Sequence, residues 1–329
     1  MTTNGEHFLV TGAAGCIGAW TVRLLLDAGV QVTASDLADD LPRLRLISAD
    51  DQSARPDFVR LDVTSTSDVA EVVASRGITH IVHLAGLQLP FCAANPPLGA
   101  AVNVGGTVNI FEAVKAAPRP VGLCYASSAA VFGSSSLFSA GVIGDDSPLR
   151  PDSHYGVYKA ANEGTARTYS MSDGIGSVGL RPFIVYGPGR DQGLTSDPTV
   201  AMLAAAAGVP FHIKYGGNLL LTYAADCAGV FIAAARAAAG SGDAICLNVP
   251  GRRVSVPALI DLIEAELPAA KGLITYETAP IKVPALLSGS ALDAVIGEVP
   301  NRELADGVRE TLARFTSALA AGLLKPPGS

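Results

Sequence analysis

A chain of 329 residues, 49% apolar and 16% charged, can bury one large or two smaller cores and is too apolar to stay disordered. Its 30 acidic and 23 basic side chains leave a formal charge of −7 without any Lys/Arg cluster, which argues against a nucleic-acid partner and for a small diffusible substrate. Cys16, Cys92, Cys124, Cys227 and Cys246 are scattered without a CxxC, and the five histidines lack ligand spacing, so reduced core thiols are expected and neither a disulfide framework nor a metal.

The first element is HFLVTG at 7–12, a short apolar run ending in glycine. CIGAWTVRLLLDAG at 16–29 follows with helical periodicity closed by Gly29. Further strands are predicted at 30–36, 57–63, 78–86, 121–128 and 176–185, with helices at about 67–76, 99–117 and 153–171 between them. AICLNVP at 244–250 returns to the sheet as its seventh strand. Alternating strands and helices imply an α/β fold, a Rossmann-type doubly wound parallel sheet covered on both faces. His80 and His83 lie beside an apolar strand and are read as structural.

After residue 186 the rhythm loosens into Gly, Pro and Asp. Residues 1–186, with 226–250 returning, are therefore read as a dinucleotide-binding domain, and 187–225 with 251–329 as a smaller substrate-binding lobe over the sheet's carboxyl edge. The N-terminal apolar stretch is broken by glycines and lacks a basic region, and the later alanine-rich runs carry Asp, Arg or Gly. Neither a signal peptide nor a membrane span is expected, and a cytoplasmic location follows by default.

TGAAGCIG places Gly12, Gly15 and Gly18 directly after the first strand and at the start of the first helix. In that position Gly12 permits a tight turn, Gly15 lets backbone approach a pyrophosphate, and Gly18 lets helix pack on strand. Asp36 ends the second strand, where its carboxylate would accept from ribose hydroxyls and repel a 2′-phosphate. NAD is expected over NADP, with Arg43 and Arg45 nearby as the residues that keep NADP open. HYGVYK at 154–159 sets Tyr155 four residues before Lys159, on one helical face, with Tyr158 pointing elsewhere.

Together with LDV at 61–63, HLAG at 83–86, NVGGT at 103–107, SSAAVFG at 127–133 and RPFIVYGPGR at 181–190, these motifs resemble the extended short-chain dehydrogenase/reductase family, in its NAD-dependent epimerase/dehydratase branch. The resemblance covers roughly residues 7–250. It implies that Gly12, Gly15, Cys16, Ile17, Gly18, Asp36, Asp62, Val63, Leu84, Ala85, Gly86, Asn103, Tyr155, Lys159, Pro182 and Ile184 surround NAD, with Asp62 and Val63 flanking the adenine. It further implies Ser128, Tyr155 and Lys159 as the catalytic set. A free tyrosine, with a pKa of about 10, is too weakly ionised to take a hydroxyl proton well. Lys159 and the positive nicotinamide are expected to lower that value, while Ser128 holds the substrate oxygen. Ser127 is the rival to Ser128, and Asn103 and Thr107 have helix packing as their alternative role.

Family members acting on nucleotide-diphosphate sugars commonly carry an Asn where Ile184 stands and an Arg in a later stretch that here reads NLLLTYAADCAGV at 218–230. Asp226 keeps its place. Losing two charge-assisted contacts costs a few kcal/mol of binding, although Arg190, Arg252 and Arg253 could compensate. The expectation is hydride transfer from a secondary alcohol of a small sugar or sugar acid, with Gln88, Phe91, Ser128, Arg190, Thr195 and Tyr223 as pocket candidates. The alternatives are a UDP-hexose type epimerase or dehydratase with retained NAD and, from another class, a non-catalytic NAD-sensing regulator. A homodimer through the helices at 99–117 and 153–171 is implied by the resemblance.

Overall fold

Seven parallel strands carry the fold: β1 (His7–Thr11), β2 (Gln31–Asp36), β3 (Asp57–Arg60), β4 (His80–His83), β5 (Gly122–Ala126), β6 (Ser177–Arg181) and β10 (Ala244–Asn248), in the order β3-β2-β1-β4-β5-β6-β10. They belong to a computed structural model that describes residues 5–48, 55–134, 142–281 and 287–328. Side chains alternate across the sheet as strand geometry requires. Phe8, Val10, Val82 and Cys124 meet helices α1 (Cys16–Asp27) and α9 (Ala224–Ala238) through Trp20, Val22, Leu25 and Phe231. Leu9, Ile81, Leu123 and Tyr125 face the other way and meet α3 (Thr66–Ser75), α6 (Gly106–Ala116) and α7 (His154–Asp173) through Val72, Phe111 and Ala166. Burial on both faces explains why the strands read as near-continuous apolar runs.

The strand order reverses between β1 and β4, so the loops leaving their carboxyl ends part and open a crevice. The strands are shorter than the apolar runs that mark them: β4 stops at His83 and β5 at Ala126. The residues beyond leave the ladder to line that crevice. The run at 176–185 does not form the single strand predicted. Proline has no N–H to continue a ladder, and after Pro182 the chain crosses to β7 (Ile184–Tyr186), which pairs with β9 (Asn218–Tyr223) in a second sheet completed by β11 (Arg252–Ser255). Strands β8 (Phe211–Ile213) and β12 (Ile274–Tyr276) pair separately, and α8 (Asp197–Ala207), α10 (Val256–Glu266) and α12 (Leu304–Ala320) pack together around them. The shorter helices are α2 (Pro42–Ile47), α4 (Leu89–Ala94), α5 (Pro96–Ala100) and α11 (Leu292–Ile296). Among the described residues no helix is long and apolar enough to cross a membrane.

Candidate active site

The glycine turn has the shape a dinucleotide needs. Gly12 has φ +71°, and a Cβ on it would lie 2.7 Å from Ala85 N. A Cβ on Gly18 would lie 2.2 Å from Gly12 O, so the first turn of α1 sits against β1 only because that atom is missing. Gly15 caps α1 without any side-chain bond, and no acid stands in the first turn, which leaves the positive end of the helix facing the cleft for an anion. Asp36 accepts from Ala14 N at 2.9 Å and Leu37 N at 2.8 Å, fixing its carboxylate beside the turn. The two arginines that kept NADP open are both engaged: Arg43 bonds Asp191 at 2.7 Å and Ala14 O at 2.7 Å, and Arg45 bonds Asp40 at 2.5 Å. Cradle, helix end and carboxylate fit NAD.

On the opposite wall, α7 begins at Ser153, whose hydroxyl accepts from Gly156 N at 3.2 Å. A Cβ on Gly156 would lie 2.5 Å from Ala130 O. Glycine there lets α7 press against the 3₁₀ turn Ala129–Phe132, and so brings Tyr155 to Ser128. The Ser128 hydroxyl accepts from Ala130 N at 3.2 Å and shares the cleft wall with the Tyr155 phenol, whose pKa it lowers. Ser127 is settled otherwise: only 2% exposed, it donates to Glu163 Oε1 at 2.5 Å. Lys159 is buried, donates to Ala126 O at 2.6 Å, and lies 5.7 Å from the Tyr155 ring centre. Burial holds the Tyr155 phenol above its ordinary value, against the lowering by the Ser128 hydroxyl and then by the charge of Arg190. Burial also lowers Lys159 to about 8.

Behind this wall the helix predicted at 99–117 is interrupted by a π turn, Ala101–Gly105. Wide turns of this kind recur at functional sites. Asn103 sits in it, 1% exposed, donating to Gly99 O at 3.1 Å and Leu87 O at 3.2 Å, while its Oδ1 is buried without a partner. Thr107 Oγ1 donates to Asn103 O at 2.7 Å, so it must accept from His83 Nε2 at 3.2 Å. His83 Nδ1 is then the acceptor for Thr11 Oγ1 at 2.8 Å, which itself accepts from Leu84 N and Ala85 N. This chain of polarities makes His83 neutral, and burial lowers its pKa to about 3. His83 is structural, holding the end of β4 that borders the cleft.

The cleft encloses about 430 Å³, and its walls include Gly12, Gly15, Cys16, Ile17, Gly18, Leu84, Gly86, Gln88, Ser128, Tyr155, Lys159, Pro182, Arg190 and Thr195. Burial raises the Cys16 thiol to about 12, which leaves it unreactive. Arg190 Nη2 donates to Thr195 Oγ1 at 3.2 Å, and its Nε is buried without a partner. Phe91 is 51% exposed on α4 and is not part of this wall. Asp62 caps a turn, accepting from Thr64 N at 2.9 Å, and Val63 packs where a Cβ on Gly106 would be. Ala85 lies against Gly12. Two more residues stand elsewhere than expected. Ile184 is fully buried, with its neighbours Phe183 and Val185 facing the cleft in its place. Tyr223, 2% exposed, packs 5.4 Å from Tyr186 and 6.1 Å from Trp20, under Arg302 at 4.5 Å, inside the core. The sequence carries no signal for Leu87 and Phe183, plain apolar side chains, or for the loop at 191–194, whose Asp191 reaches Arg43 from 148 positions away.

The model of the NAD dependent epimerase/dehydratase family matches residues 8–248, and the chain belongs to that family. It is 33% identical over 202 residues to UDP-glucose 4-epimerase 3 of Oryza sativa subsp. japonica, covering 59% of this chain but only 53% of that relative. With UDP-glucose 4-epimerase of Mycolicibacterium smegmatis it is 28% identical over 321 residues, covering 93% of this chain and 97% of the relative. Its fold matches the structure "MoeE5 in complex with UDP-glucose and NAD" with a TM-score of 0.78 and 25% identity, over 95% of this chain and 100% of the other. The chain spans about half the length of the first of these relatives, and the family that its motifs resemble is the one to which it belongs.

Proposed function

We propose that the protein inverts or eliminates at a sugar carbon of a nucleotide-linked hexose, oxidising a ring hydroxyl and returning the hydride within the same site. The convergence of Ser128, Tyr155 and Lys159 on the cleft wall facing the glycine turn carries this reading. NAD, when bound, would supply the hydride acceptor. Tyr155 then takes the hydroxyl proton as general base and gives it back as general acid. Ser128, with one of its two lone pairs taken by Ala130 N, offers its O–H to the phenol or to the substrate oxygen. Lys159 holds the loop at Ala126 and presents a positive charge beneath the ring. Relatives named as UDP-sugar epimerases support the nucleotide-linked substrate over a free sugar.

A second reading has one observation in its favour. Ile184, Leu219 and Leu221 are at most 1% exposed and offer nothing to a diphosphate, while Arg252 is engaged by Glu303 at 2.7 Å and Asn301 O at 2.7 Å. On that reading the substrate is a small sugar or sugar acid and NADH leaves at each turnover. Incubation with UDP-hexoses, UDP-uronates, free aldoses and aldonates separates the two. Inverted or dehydrated product without net absorbance of NADH is the expected result, lost in Tyr155→Phe; stoichiometric NADH from a free sugar would replace the first reading by the second.

A further inference from the structure

Three consecutive residues at the end of β5 are held by three residues one turn apart on α7. Ser128 shares the cleft wall with Tyr155, Lys159 Nζ donates to Ala126 O at 2.6 Å, and Ser127 Oγ donates to Glu163 Oε1 at 2.5 Å. The positions 155, 159 and 163 form one stripe of the helix. The third contact is the best buried of the set: Glu163 is 1% and Ser127 2% exposed. A carboxylate so placed needs a counter-charge. Arg181, from the strand beside β5, supplies it through two parallel bonds, Nε to Oε1 at 2.8 Å and Nη2 to Oε2 at 2.7 Å. Arg181 is itself fixed by Asp145 O at 2.7 Å and lies 5.1 Å over the Phe132 ring. None of Glu163, Arg181 and Asp145 lines the cleft.

We propose that Glu163, clamped by Arg181, is a positioning residue that acts through Ser127 to set the reach of Ser128 to Tyr155. The proposal rests on the assignment of Ser128, Tyr155 and Lys159 to proton transfer. Ser127 is the joint between the rigid ladder, which ends at Ala126, and the turn that begins at Ala129. Without its bond to Glu163 that joint is anchored by Lys159 at Ala126 alone, and the Ser128 hydroxyl is no longer held on the wall that carries the phenol. A phenol that loses a neighbouring hydroxyl donor holds its proton to higher pH.

Removing Glu163 itself would leave Arg181 buried without its counter-ion and risk unfolding. Ser127→Ala is the cleaner variant, because the ion pair survives. Position 155 is occupied by 3,5-difluorotyrosine, whose acidity brings the titration into an accessible range, and ¹⁹F NMR follows its ionisation in the NAD-loaded protein. Relative to the otherwise unchanged chain, Ser127→Ala is expected to raise the midpoint by roughly 0.5 to 1 unit, and Ser127→Thr, which keeps the hydroxyl, to restore it. Coincident midpoints in all three proteins, each with a cooperative melt, would overturn the proposal. The measurement needs no substrate, so a failure of the nucleotide-sugar reading leaves its outcome intact.

Discussion

Arg190 pairs with no carboxylate among the described residues, and its Nε is buried without an acceptor. A guanidinium in that condition is costly unless something anionic completes it. It also helps draw down the Tyr155 phenol, so it stands near the reacting end of the cleft. Arg190→Met is expected to raise KM for an anionic substrate about 10- to 100-fold, the worth of a charge-assisted bond, while kcat falls less; an unchanged KM in steady-state kinetics would remove Arg190 from substrate binding. Lys159 makes a prediction of the opposite kind. Its folded-state pKa is about 8 against an ordinary 10.5, so between those values the unfolded chain still holds a proton that the folded chain has shed. Stability therefore rises with pH across that window and is lower below it. Lys159→Met should flatten this slope and, at pH 7, gain up to about 3 kcal/mol from the relieved burial, less about 1 kcal/mol for the lost bond to Ala126 O; urea denaturation at pH 7 and 9.5 checks both. At this scale the sequence points to types and spacings. Tyr155 and Lys159 were legible because one helix sets their relation, whereas the pair Ser127 and Ser128 was ambiguous because the carboxylate that engages Ser127 stands 36 positions away.

Elements translate small steric facts into site geometry. Gly15 and Gly18 belong to one motif but carry different loads. A Cβ on Gly18 meets Gly12 O at 2.2 Å and Ala13 Cα at 2.9 Å, both backbone, so α1 must lift from the sheet; on Gly15 the closest atom is Gly12 O at 3.1 Å. Gly18→Ala is accordingly expected to lose roughly 1–3 kcal/mol of stability through overpacking together with NAD affinity. Gly15→Ala should melt within about 2 °C of the parent yet bind NAD at least tenfold more weakly, because its methyl occupies the approach of the pyrophosphate. Paired thermal melts and isothermal titrations test this, and equal loss of stability in both variants would sink the distinction. Apolar periodicity gave these helices and strands because it records burial. It did not give the π turn at 101–105, where one extra residue per turn leaves the pattern helical, nor the break at Pro182, where both halves of the run are buried but in different sheets.

At the scale of the whole molecule the doubly wound sheet was legible, since each βα unit is local and its handedness restricts the rest. The C-terminal third was not. Its contacts are remote in sequence: Arg314 lies over Trp20 at 5.6 Å and donates to Ile47 O at 3.2 Å, and Arg302 covers Tyr223. No periodicity encodes such pairings. Among the described residues one helix face remains uncovered. While Tyr155, Lys159 and Glu163 turn inward, the outer side of α7 presents Val157, Ala161, Gly164, Thr168 and Met171 at heptad-like spacing, with Val157 47% and Met171 86% exposed and no charge among them. Leu98, 48% exposed on α5, extends the apolar surface. A stripe of small and apolar side chains lets a second helix approach closely, in keeping with the homodimer that the family resemblance implies. Light scattering coupled to size exclusion should give twice the mass of one chain. Val157→Asp, which sets two like charges face to face across a two-fold axis, should halve that mass without altering the circular dichroism of the helices. A parent chain already monomeric at micromolar concentration would rule the interface out, and α7 would then owe its outer face to nothing but helix propensity.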